Sequence, residues 1–493
     1  MNNGLPTYRD FFPSFITKGA LGVYMASLLL ITIFFSQWVM LWYWWAIGLV
    51  CVVAFFYGTP NLMRKWARVS PKVFEKKLFW TGWLVRAITA VLMYLLFQVL
   101  ADGALDFEAA DVIWYDKEGA YIADCFYDGQ WNVVKSFHEF MGGRGELSDS
   151  GYPIYLGIVY TLVAKSVLLA RIVQSFFGAA MGVFVYRIAQ RHFDEPTARM
   201  ASIMTMLMPN LVMYCGLHLK EVVMTFLTML FVERADDVTT NKNFKWDKLI
   251  VVGLSGLALF TFRTVLAATL FLAFAVTLVL SSSRIIKGGK RILLIIFSLI
   301  FVGIAFSGQI KSEVMYFVEK DVRAQQQTSM NLRYGAGRGD GQGNKFATYA
   351  SAVVFAPMIF TLPFPTMVET LGQEQKRMLH GGCFVKNMMS GFVILAMFIF
   401  LLGGNLRSME AEWRKHVLPL SVLCGYLVVL VFSEFAHSER FHHPILPLLM
   451  MFAAYGVTHM KPKWRWMFNV WCVVCVIICV GWAYIKVVGR GLL

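Results

Sequence analysis

Long uncharged runs separated by short basic stretches set the pattern of this chain. Residues 21–37, 41–57, 79–100, 292–306, 388–403 and 470–488 are nearly free of charge, and each approaches the ~20 residues that carry a helix across ~30 Å of hydrocarbon. Such runs read as helices, because an isolated strand would leave its backbone N–H and C=O groups unsatisfied in lipid. Lys and Arg concentrate in the breaks, at 64–77, 187–199, 242–248, 284–291, 407–415 and 461–465. Placing every basic cluster in the cytoplasm threads about thirteen helices, with the N-terminus inside and the C-terminus outside. No small-residue cleavage site follows the first run, so that run is expected to be retained rather than removed as a signal peptide.

Composition agrees with that pattern. With 58% hydrophobic and only 15% charged residues, and a mean hydropathy of +0.60, the chain cannot be arranged as a soluble globule. The fold class is therefore an all-α polytopic membrane protein with external loop and interfacial helices. A net charge of +15 would suit nucleic acid if it formed one face, but it is scattered between spans and marks topology instead, leaving membrane lipids as the surroundings. Of the eight cysteines, Cys51, Cys215, Cys424, Cys472, Cys475 and Cys479 fall in apolar runs as small hydrophobes, and only Cys125 and Cys383 fall in outer segments. No CxxC…CxxC or HExxH pattern marks a metal site.

The threading divides the chain into N-terminal helices (1–100), a first large external loop with an interfacial helix (101–170), helices (171–306), a second large external loop (307–387) and C-terminal helices (388–493). Function should reside in the two loops. The first holds Asp102, Asp106, Glu108, Asp111, Asp116, Glu118, Asp124, Asp128, Glu139, Glu146 and Asp149 beside Trp114, Tyr115, Tyr121, Tyr127 and Trp131. Aromatics stack on the apolar faces of sugar rings and carboxylates bind their hydroxyls; a solvated acidic loop with interfacial aromatics has the same composition. The run 151–165 is too short to span comfortably and reads as an amphipathic helix on the outer leaflet. Pro357, Pro363 and Pro365 break 346–371, which reads as re-entrant or interfacial. The glycine-rich run 333–343 lacks the strand–loop–helix context of a phosphate loop.

The order of these features resembles the GT-C superfamily of membrane glycosyltransferases, of the ArnT and protein-mannosyltransferase type, over roughly residues 111–457. The matching pieces are Asp111-Val-Ile-Trp-Tyr115, then Gly151-Tyr152-Pro153, then the span from Ala170-Arg171 to Tyr186-Arg187. Pro209 followed by Leu219-Lys220-Glu221 comes next, and last the stretch His437-Ser-Glu-Arg440-Phe-His-His-Pro444-Ile-Leu-Pro447. The resemblance implies transfer of a sugar from a polyprenyl-phosphate donor to a hydroxyl of a lipid, glycan or protein acceptor. It places the reaction in the cell envelope, at the periplasmic face of a bacterial inner membrane, with inversion by direct displacement.

That chemistry needs a carboxylate to take the acceptor proton and cations to hold the departing phosphate. Asp111 is the expected base and Asp116 its competitor. Lys220, Arg263 and Arg440 are expected on phosphate, with Tyr115, Asp149, Tyr152, Glu221 and His442 lining the pocket. Each has a plainer reading. Lys220 could snorkel or pair with Glu221, and Arg263, inside the apolar run LALFTFRTVLAATLF, could sit at a helix turn. Arg440 lies at a helix start, where the dipole favours an anion. No cofactor is demanded, and a divalent cation is left open by His437, His442 and His443, of which the last two are adjacent and poorly disposed to share an ion. Two rival readings stand beside this one. An O-antigen-type polysaccharide polymerase or ligase would use external arginines such as Arg333. A lipid-linked glycan transporter would be expected to show internal repeats or paired broken helices, and the hydropathy shows neither.

Overall fold

The computed structural model describes residues 12–100, 105, 110–129, 149–240, 246–280, 356–369, 374–402, 416–433 and 436–488, with isolated positions between 292 and 303. These residues are overwhelmingly helical and contain no β-strand, only a single bridge between Val39 and Val368. The first half carries α1 (Ser14–Phe34), α2 (Trp42–Trp66), α3 (Pro71–Leu100), α4 (Ala110–Tyr127), α5 (Gly151–Leu162) and α6 (Val167–His192). After them come α7 (Glu195–Leu207), α8 (Pro209–Met213), α9 (Glu221–Thr240), α10 (Trp246–Phe262) and α11 (Thr264–Leu280). The C-terminal part holds α12 (Glu374–Leu402), α13 (Val417–Phe432), the single turn α14 (Glu439–His442), α15 (Leu446–Thr458) and α16 (Arg465–Val488).

Six of the described helices, α1, α2, α3, α6, α12 and α16, are long and apolar enough to cross a bilayer alone, and α11 and α13 are apolar but shorter. The structure thus supports an all-helical membrane protein with these spans, and not the full count of about thirteen. The run expected at 292–306 is described only at isolated positions. The clusters 284–291 and 407–415, most of 242–248, the run 333–343, and Asp102, Asp106, Glu108, Trp131, Glu139 and Glu146 lie outside the described residues.

Three expectations change. Residues 110–127 form a helix, not an open loop, because Val112, Tyr115, Glu118, Gly119, Ile122 and Ala123 recur at helical spacing and are buried together. The helix placed at 388–403 begins at Glu374, inside the segment assigned to the second loop. Its polar early residues Arg377, His380 and Lys386 are buried, His380 against Tyr24 Oη at 2.9 Å and Lys386 against His442 at 3.3 Å. Charge in that stretch therefore marks interior contacts, not the end of the helix. The described part of the proline-rich run, 356–369, forms one 3-10 turn, Ala356–Met358, that continues as a turn to Thr361, and then passes without helix to the bridge at Val368.

Ion pairs sort the helix ends to two faces. On one face, Arg191 near the end of α6 reaches Glu233 (3.2 Å) and Asp236 (2.6 Å) near the end of α9, His192 lies 2.7 Å from Asp236, and Lys248 at the start of α10 contacts Asp237. The opposite end of α9, with the turn before it, carries Lys220 and Glu221.

A broken backbone prepares that second face. Pro209 has no N–H to give the carbonyl of Thr205, so α7 stops and the chain restarts as α8. In hydrocarbon a carbonyl so freed needs another donor. Arg86, fully buried on α3, supplies it, donating to Met206 O at 3.1 Å and Thr205 O at 3.4 Å. Replacing Arg86 with Met keeps most of the apolar stem and removes the donors, so Arg86→Met should lower unfolding stability in detergent by about 3 kcal/mol, the scale of unsatisfied buried carbonyls. Denaturation unchanged from wild type would show that the break is held by something else.

Candidate active site

The platform of the site is the pair α4 and α5, which run side by side in the same direction. They approach closely because Gly119 and Gly157 meet at the crossing: a Cβ on Gly119 would lie 2.6 Å from Leu156 Cβ, and one on Gly157 would lie 2.3 Å from Ile122 Cγ2. Tyr127 Oη reaches the carbonyls of Tyr160 and Thr161 at 3.4 and 3.2 Å. The pair is seated on the bundle through Tyr152, which is fully buried and donates to Gln174 Oε1 on α6 at 2.9 Å. Gln174 Nε2 in turn holds the carbonyls of Tyr214 and Leu217 at 3.4 and 3.3 Å, fixing the unwound stretch between α8 and α9.

That stretch delivers His218, Lys220 and Glu221, all buried, to the platform. Lys220 Nζ donates to the carbonyl of Phe262 at 3.0 Å, at the break between α10 and α11, and contacts the Asp149 carboxylate. Asp149 takes a left-handed backbone, φ 81°, just before α5, a conformation that Asp tolerates better than most residues. Burial, together with the charge of Arg263, draws the Lys220 ammonium down to about 7 against the opposing pull of Glu221.

Arg440 ties the cluster together. Its Nη1 donates to Asp111 Oδ2 at 2.9 Å and its Nε to Glu221 Oε1 at 2.9 Å. The buried Glu221 fixes the guanidinium, while the Asp111 side chain is 53% exposed, so only the outer of the two pairs is open to exchange. Arg263 lies over the Phe441 ring at 4.1 Å and donates to Tyr426 Oη at 3.1 Å. Tyr115 is buried beside these charges, 5.3 Å from the Tyr152 ring.

Asp116 occupies a neighbouring nest. Tyr160 Oη donates to its Oδ1 at 2.5 Å, and His218 Nε2 lies 3.5 Å from the same oxygen. Burial works against its ionisation, but the contacts with His218 and Tyr160 and the charge of Arg171 outweigh that and hold the carboxyl below the usual range.

Of the expected residues, the structure brings Asp111, Glu221 and Arg440 into direct contact, sets Lys220 with Asp149 beside them, and places Tyr115, Asp116 and Arg263 around them. Tyr152 is a seating residue whose hydroxyl is spent on Gln174. His442 turns elsewhere, between Lys386 Nζ (3.3 Å) and the carbonyl of Ala436 (2.7 Å). His443 pairs with Thr225 Oγ1 at 2.7 Å and His437 stacks on Trp482 at 5.8 Å, so the three histidines form no joint ligand set. No group of three His, Cys, Asp or Glu among the described residues could hold a metal ion. Sequence reasoning passed over Tyr160, Gln174, His218 and Arg86. The visible signals were Arg86 and Gln174, polar residues inside apolar runs, and His218 in the run leading to Lys220.

Residues 383–489 match the model of the Alg9-like mannosyltransferase family, a GT-C type family of membrane glycosyltransferases. The matched part holds α13 to α16, and with them Arg440 and His442. No curated protein and no solved structure matches the chain. The match over this part of the chain indicates a membrane glycosyltransferase, and the family in general implies a lipid-linked sugar donor and a glycan or lipid acceptor.

With burial drawing the Lys220 ammonium down to about 7, affinity for an anionic lipid-linked donor should fall as pH rises from 6 to 9 in the wild type. Lys220→Arg, whose guanidinium stays charged throughout, should flatten that dependence. Titration of binding against pH checks both, and identical profiles for the two proteins would remove Lys220 from the anion site.

Proposed function

As a membrane glycosyltransferase of GT-C type, this chain, we propose, transfers one sugar from a polyprenyl-phosphate-linked donor to an acceptor hydroxyl at the outer, periplasmic face of a bacterial inner membrane. The observation that carries the reading is Arg440, shared between the buried Glu221 and the exposed Asp111 beside Lys220 and Arg263. An arginine held from behind by one carboxylate and capped from the front by another is a phosphate site whose front cap can leave. The donor phosphate takes the place of Asp111 on Arg440 and of Asp149 on Lys220, and Asp111 is freed at the moment a base is needed.

The acceptor hydroxyl then gives its proton to Asp111, and its oxygen attacks the anomeric carbon. The bond from that carbon to the phosphate oxygen breaks, its electron pair leaves with the polyprenyl phosphate, and Arg440, Lys220 and Arg263 stabilise the charge. One displacement inverts the anomeric centre. Asp116, already occupied by Tyr160 and His218, orients substrate hydroxyls. Trp114, exposed one turn along α4 from Asp111, offers the sugar its flat face. The polymerase or ligase alternative rests on Arg333, which lies outside the described residues.

Sidedness follows from the basic clusters: a cysteine placed at Gly129 should label from outside and one at Ser70 only from inside. Outside access at Ser70 would overturn the orientation.

Asp111→Asn keeps the shape and removes the basic lone pair. Turnover measured with a labelled polyprenyl-phosphate sugar should fall by ~10²–10⁴-fold, the usual general-base contribution, while donor binding holds. Asp116→Asn should retain more activity and raise KM for the acceptor. Full activity in Asp111→Asn with an inactive Asp116→Asn would move the base to Asp116.

A further inference from the structure

On the face away from the ion cluster, α1 and α16 run parallel and leave a groove between them. Phe15 and Phe468 meet edge to face at 5.3 Å, and Arg465 lies over the Phe15 ring at 4.9 Å, so both helices begin at the same end. The other end of α1 leads to Trp38, whose carbonyl accepts from Glu369 N at 2.6 Å, and to the bridge with Val368, which is the level of the candidate active site. The groove encloses about 460 Å³ and is lined by Gly19, Gly22, Val23, Ala26, Cys472 and Val476, with Lys18 and Arg465 in its wall at the end where the helices start. Val473 beside it and Met25, Leu29 and Ile477 further along the same two helices are exposed apolar side chains, so the groove opens toward the acyl chains of the bilayer.

We propose that this groove binds one anionic glycerophospholipid of the leaflet opposite the active site, an acyl chain lying along Gly22 and Ala26 and the phosphate between Lys18 and Arg465. Three observations point to this occupant. Gly22 and Ala26, one helical turn apart, remove side chains where an acyl chain would lie, and a Cβ on Gly22 would meet nothing within 4 Å. Lys18 and Arg465 have no ion pair with a described carboxylate, and Lys461 and Lys463 stand exposed in the turn just before α16. That charge suits a lipid phosphate carrying net negative charge and gives a zwitterionic headgroup no advantage. Because α1 and α16 begin at the same end, the positive ends of both helix dipoles add potential where the phosphate would sit. Phe468 and Phe392 stack at 5.8 Å, so a filled groove would brace α16 against α12, the helix that carries Lys386.

The test is native mass spectrometry and lipid titration of the full chain extracted in mild detergent, with phosphatidylglycerol and phosphatidylethanolamine as probes. One phosphatidylglycerol should remain bound to the wild type, and phosphatidylethanolamine should not replace it at equal concentration. Gly22→Leu, whose Cβ meets open space, should abolish the bound lipid. The double variant Lys18→Gln/Arg465→Gln should weaken phosphatidylglycerol binding about tenfold or more, the scale of a charged hydrogen bond. Melting temperatures near wild type identify folded variants, and the two variants act through different features, so the failure of either to fold leaves the other decisive. Equal phosphatidylglycerol retention in wild type and folded Gly22→Leu, equal retention of both lipids, or a protein dimer in place of the lipid adduct would overturn the proposal.

Discussion

Where water is excluded, a backbone carbonyl that loses its helical partner must find another donor, and the rest of this structure is arranged around one place where that happens. Pro209 interrupts the path from α7 toward α9, and the unwound residues between them need outside partners. Arg86 answers for Thr205 and Met206, and Gln174 for Tyr214 and Leu217. Lys220 spends one proton on the carbonyl of Phe262, at the neighbouring break where α10 gives way to α11. A continuous helix through this region would satisfy its own backbone and would have no reason to present His218, Lys220 and Glu221 together. The polar residues of the site and the polar residues that repair the backbone are therefore two parts of one solution.

The same low dielectric governs the charges. Glu221 is completely buried, and an isolated carboxylate there would be expensive; the Arg440 guanidinium makes it tolerable, and Asp111 completes the balance from the exposed side. Lys220 is in the same position with Asp149. Each cation thus carries a carboxylate, and in the proposed reaction the donor phosphate would replace it at little electrostatic cost, one anion taking the place of another on a site already desolvated. Glu221 cannot play that part, being enclosed on every side, and this separates the structural carboxylate from the exchangeable ones.

What was legible in the sequence follows from how far each signal depends on contacts. Helices facing lipid advertise themselves by hydropathy, so the apolar middles of α1, α2, α3 and α16 were readable, although some ends lay seven to nine residues away from the expected runs. Asp111, Lys220, Glu221 and Arg440 could be named because charge beside apolar runs is unusual, although nothing in the chain showed that Arg440 bridges two acids lying 329 and 219 positions away. α4 was read as loop because its carboxylates masked the helical spacing of Val112, Tyr115, Gly119 and Ile122. The start of α12 was missed for the converse reason, since Arg377, His380 and Lys386 look like loop residues until Tyr24 and His442 are seen against two of them. His442 was grouped with Arg440 by proximity along the chain, and the turn of α14 sends the two side chains to different partners.

The family match and the candidate site divide the chain unequally. Residues 383–489 supply Arg440 and the helices that hold it, while Asp111, Asp116, Asp149, Lys220, Glu221 and Arg263 all come from earlier elements. The two parts meet where Arg440 crosses from α14 to Glu221 at the head of α9 and Asp111 at the head of α4. Without the earlier elements the matched helices would present Arg440 without its two carboxylate partners. Without Arg440, Glu221 would be a buried charge lacking its hydrogen-bond partner, and the turn that positions Lys220 would be under strain to expose it. The proposed phosphate site spans that junction, so the contacts of one guanidinium join the matched part to the two acids supplied by the earlier elements.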